Sequence, residues 1–117
     1  MTCEDGGDTL LASCSQDTYI RLWRISVQEE TKEDDLRLTG NQISLLDKSG
    51  KMTCLTMSLE AVLTGHDDWV YSVRWAPSGP QVNEPKMDDL ILLSASMDKT
   101  MILWKVDPGS GVWMEQV

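Results

Sequence analysis

A serine, a histidine and a carboxylate can form a nucleophile, its base and the group that orients the base. This chain of 117 residues supplies one such set in Ser94, His66 and Asp98. The surrounding sequence argues against acyl transfer. No G-x-S-x-G elbow encloses Ser94, and such an elbow is what exposes a hydrolase serine. The set also recurs: Ser13, Asp17 and Trp23 stand at a constant offset from Ser94, Asp98 and Trp104. A repeated set that includes an indole reads as a structural staple and not as a catalytic centre. In that reading the aspartate sits in a tight turn, caps backbone N–H groups and accepts from the imidazole. The imidazole donates onward to the serine hydroxyl, which also holds the indole N–H, so each buried polar group has a partner. His66 is the only histidine, so the first copy keeps Ser13, Asp17 and Trp23 without one. A single histidine, with no carboxylate or cysteine cluster at ligand spacing, gives no metal site, and no cofactor motif is present.

These residues must be held by strands. The run L-L-A-S-C-S-Q-D-T-Y-I-R-L-W-R-I from Leu10 to Ile25 parallels I-L-L-S-A-S-M-D-K-T-M-I-L-W-K-V from Ile91 to Val106. In each copy two apolar, β-branched runs flank a polar turn holding an aspartate, which reads as a hairpin. Gly65-His66 and then V-Y-S-V-R-W at Val70 to Trp75 precede the second copy. Gly-His, strand, strand, aspartate turn and strand ending in Trp is an order that resembles the WD repeat, one blade of a β-propeller. A blade takes about 40–45 residues and propellers close with about four to eight blades. The chain therefore holds about two.

The expected fold is all-β: a WD40 β-propeller fragment of about two four-stranded antiparallel blades. No V-x-x-V-x-W run precedes the first copy, so the first blade is expected to lack its innermost strand. Gly111 to Val117 reads as an outer strand. We expect the sequence to be a piece of a longer propeller. Residues 9–64 form a partial blade and residues 65–117 a second one. Within the first, 26–58 reads as an insertion whose acidic half, with Glu29, Glu30, Glu33, Asp34 and Asp35, is a solvated loop. Ile43 to Leu46 and Met52 to Met57 could pair as a short hairpin around Lys48-Ser49-Gly50, leaving Leu59 to Leu63 as the outer strand. A second insertion, 78–89, contains Pro80 and Pro85 and reads as loop.

Composition excludes several functions. A net charge of −9 is the wrong sign for a phosphate-binding surface, so no direct nucleic-acid contact is expected. No apolar run approaches the roughly 20 residues of a membrane span. Cys3, Cys14 and Cys54 are odd in number and lack C-x-x-C spacing, which fits free thiols in a reducing compartment. Asp67-Asp68 beside Trp69 reads as a polar turn before a strand, with a contact point on the propeller's face as the less favoured reading.

The wording beyond the signature is distinctive. Leu10 to Trp23, Leu59 to Pro77 with G-H-D-D-W-V-Y-S-V-R-W, Leu92 to Trp104 and Ser110 to Val117 resemble the WD-repeat second-subunit family of the Elongator complex. That resemblance skips 26–58. It implies a non-catalytic scaffold that joins a large structural subunit to a catalytic acetyltransferase-like subunit. It also implies a role in wobble-uridine modification of transfer RNA, in the cytoplasm with the nucleus as a second location, and no small-molecule substrate. The fold alone equally permits an adaptor of another complex, such as a substrate receptor or signalling scaffold.

Overall fold

The computed structural model of the chain describes residues 8–29, 42–46, 50, 52–77 and 89–116. The strands are β1 (Thr9–Cys14), β2 (Ile20–Glu29), β3 (Gln42–Leu46), β4 (Met52–Leu63), β5 (Val70–Trp75), β6 (Ile91–Ser96), β7 (Met101–Val106) and β8 (Trp113–Gln116). They form two four-stranded sheets, ordered β1-β2-β4-β3 and β5-β6-β7-β8. Every pairing is antiparallel. The second sheet is a complete blade in chain order. The first has β1 at one edge, where the second has β5 lying beyond β6.

The bounds of the insertion read at 26–58 change at both ends. β2 continues through Ser26–Glu29, and β4 is one strand from Met52 to Leu63 where two segments were expected. Pairing explains both. Glu29 lies opposite Thr53 and Ile20 opposite Leu63, so the two strands hold each other in register along their whole length, with a bulge at Leu22/Trp23. Leu59 to Leu63 is extended as expected, and it runs on from Met52 without a break because β2 pairs along both parts. β3 pairs with β4 from Gln42–Thr56 to Leu46–Met52, which is the expected hairpin as an edge strand added to the blade. The acids Glu30, Glu33, Asp34 and Asp35, together with Cys3, Lys48, Ser49, Pro80 and Pro85, lie outside the described residues.

Alternation along paired strands gives each sheet two faces. From the first sheet, Leu10, Ile20, Leu22 and Leu63 face inward. They meet Val70, Leu90, Leu92, Trp104, Val106 and Trp113 of the second in one shared core. Burying each such side chain contributes about 1.5–3 kcal/mol. The rings of Trp75 and Trp113 stack at a tilt, with centroids 5.9 Å apart. The Val70 N–H donates to the Ser15 carbonyl at 3.1 Å, joining the sheets at their turn end. Arg24 reaches Glu60 at 2.9 Å and Asp8 at 3.1 Å, holding Glu60 below the usual carboxylate range. Because these groups remain partly solvated, the ion pairs fix geometry more than they stabilise.

Both repeat hairpins turn through a residue in the left-handed region, Thr18 at φ 76° and Lys99 at φ 71°. In the second, the Lys99 N–H donates to the Ser96 carbonyl at 3.2 Å and the Ser96 N–H to the Thr100 carbonyl at 3.1 Å. This is a turn closed by a left-handed residue. A side chain there crowds its own backbone, and β-branching worsens it. Thr18→Gly is therefore expected to raise stability by about 1 kcal/mol, and Lys99→Gly by less. Urea unfolding should show a higher midpoint with an unchanged slope.

Candidate functional site

A strand ladder places Ser94 opposite Ile102 and Leu92 opposite Trp104. Opposite residues share a face, so Ser94 and Trp104 lie diagonally adjacent on the face turned toward the first sheet. The Trp104 indole N–H donates to Ser94 Oγ at 2.9 Å. His66, on the loop between β4 and β5, places Nε2 2.7 Å from the same Oγ and Nδ1 3.1 Å from Asp98 Oδ2. The four residues expected to meet are thus joined in one chain of contacts. Ser94 is fully buried and Trp104 2% exposed. The His66 side chain is sealed, and that of Asp98 is 11% exposed.

An ionised carboxylate only accepts, so the proton between His66 and Asp98 sits on Nδ1. At the serine end, Ser94 Oγ accepts from Trp104. A ring protonated at Nδ1 alone accepts the Ser94 hydroxyl at Nε2, whereas a ring protonated at both nitrogens donates there and the hydroxyl turns to the Ile102 carbonyl, 3.4 Å away.

Asp98 anchors more than the ring. Its Oδ2 also accepts the Asp67 N–H at 3.0 Å. Its Oδ1 accepts the Thr100 N–H at 2.8 Å and the Thr100 hydroxyl. The Thr100 hydroxyl, then the Asp67 N–H, His66 and the Thr100 N–H, hold this carboxyl well below the usual carboxylate range. Thr100 is a member that sequence reading missed; its Oγ1 also lies 3.2 Å from His66 Nδ1. The available signal was a hydroxyl two residues after the turn aspartate, a spacing at which both ends of the residue reach the carboxylate. Gly65 belongs to the same arrangement. A Cβ there would stand 3.1 Å from Trp104 Cη2 and collide with the Glu115 carboxylate. The Glu115 carboxylate can swing aside, so the tight approach of Trp104 is what favours a position with no side chain.

The first copy is joined in part. Trp23 donates to Ser13 Oγ at 2.9 Å, reproducing the indole–hydroxyl half. Asp17 is not brought to them: it pairs with Arg21 at 2.7 Å and caps the Tyr19 N–H at 3.0 Å. The Arg21 guanidinium holds the Asp17 carboxyl below its ordinary range. Arg21 occupies the place that Ile102 takes in the second copy, a difference sequence comparison could have flagged. Ser13 and Trp23 are also half-buried where Ser94 and Trp104 are buried.

Geometry limits what this site can do. Ser94 Oγ has no exposed surface and already contacts an indole and an imidazole. A substrate carbonyl cannot approach it without displacing Trp104 from the core. Among the described residues no group of three His, Cys, Asp or Glu side chains could hold a metal ion. Asp67, Asp68 and Trp69 are exposed, with Asp68 Oδ1 capping the Trp69 N–H at 2.8 Å.

The family model of the WD domain, G-beta repeat, matches residues 3–24 and 57–105. That is more than half of the chain, which belongs to this family. Within it, the chain is similar to Elongator complex protein 2 of Mus musculus, 49% identical over 115 residues. It is also similar to Elongator complex protein 2 of Homo sapiens, at 45% over 119 residues, and of Saccharomyces cerevisiae, at 36% over 119 residues. The first two alignments cover 96% of this chain and 14% of the relative, and the third covers 95% and 13%. The chain thus spans about 14% of the length of the curated relatives it matches.

Two outcomes follow from the staple. Ser94→Ala strands two buried partners, the Trp104 N–H and His66 Nε2, and should cost roughly 1–3 kcal/mol. Ser13→Ala should cost less, because Trp23 is only half-buried. Paired urea titrations of the two variants would give equal costs if the staple did not depend on burial. The second outcome concerns acid. The folded carboxyl of Asp98 ionises below its unfolded counterpart, so its contribution is complete above the usual carboxylate range and is lost as pH falls through it. Between about pH 5 and pH 2 the unmodified chain should lose more stability than Asp98→Asn, measured by thermal melts at matched ionic strength.

Proposed function

We propose that the chain is part of a non-catalytic WD-repeat scaffold subunit of an Elongator-type assembly. In this reading residues 9–64 and 65–117 are successive blades of one propeller. That propeller helps join the large structural subunit to the catalytic acetyltransferase-like subunit. The assembly modifies wobble uridines of transfer RNA in the cytoplasm, with the nucleus as a second location. The observation that carries the reading is similarity to Elongator complex protein 2 over nearly the whole chain, at 36–49% identity from yeast to mouse. Similarity confined to the blade signature would support only a WD repeat.

A scaffold without chemistry of its own agrees with the geometry. His66, Ser94 and Asp98 are committed to one another and to Trp104. The net charge of −9 also favours protein partners over a direct hold on RNA.

The experiment is affinity purification of the tagged longer polypeptide that contains this sequence, followed by identification of co-purifying proteins. Recovery of the large and the acetyltransferase-like subunits is the expected outcome, together with loss of modified wobble uridines from transfer RNA when the gene is removed. Recovery of a different assembly, with wobble nucleosides unchanged, would point to an adaptor of another complex and defeat the proposal.

A further inference from the structure

We draw no further inference here: the strongest candidate, the groove between the two sheets where Glu60 to Leu63 of β4 and Gly111 to Trp113 at the start of β8 form the walls, carries nothing because nothing in the structure shows what covers it.

Discussion

A buried imidazole has two nitrogens to satisfy at once, and most of the second sheet is arranged to do so. His66 sits with Nδ1 on Asp98 and Nε2 on Ser94, in a position closed to water. Each partner lies on a different segment: the loop before β5, the strand β6 and the turn after it. Meeting the ring's demand therefore fixes the relative placement of three parts of the chain. The Trp104 N–H closes the set from β7, so one constraint ties two adjacent strands to the loop before β5 and to the turn between them. An unmatched polar group at such a site costs more than an ordinary hydrogen bond contributes. For that reason the arrangement excludes alternative registers more than it adds to overall stability. A one-residue slip of β6 against β7 would turn Ser94 out of the core and strand both the indole and the ring.

The same logic explains what could be read from the residues alone. Residues that recur in fixed order carry a pattern visible without coordinates, and the second sheet follows that pattern. Thr100 escaped notice because a hydroxyl in a turn is common, and its importance depends on the carboxylate it reaches from both its N–H and its side chain. Spacing identifies the partners of Ser94 without saying which one carries the hydrogen. β4 was misread for a different reason. Its two expected segments, Met52 to Met57 and Leu59 to Leu63, are one strand because ten residues of β2 lie alongside both. Local pattern sees one strand at a time, whereas the ladder is a property of two.

The two copies show how far a repeat can drift while keeping its shape. Both retain the indole–hydroxyl contact at 2.9 Å. Both turn through a left-handed residue after an aspartate. They part where the second copy has Thr100 and Ile102 and the first has Tyr19 and Arg21. Ile102 packs against the shared core, whereas Arg21 reaches back to the turn carboxylate. With Arg21 on it, Asp17 has a cation of its own and does not depend on an imidazole for charge compensation. Because this pair is exposed, it is screened and weak. The first copy thus substitutes a flexible surface contact for the sealed one, and its turn is held less firmly.

This difference in firmness bears on where function can reside. Residues that satisfy one another in the interior are unavailable for contacts elsewhere, and Ser94, His66, Asp98 and Trp104 are committed in that way. What varies without disturbing the blade is the surface: the exposed Asp67, Asp68 and Trp69 ahead of β5, and the strand β3 added at the edge of the first sheet. In a sheet whose core positions are fixed by mutual satisfaction, a change at such a surface alters what the blade meets without altering how it folds. A fold stabilised this way is suited to holding other proteins in place. Its interior sets the geometry of the platform, and recognition is left to side chains that the interior does not need.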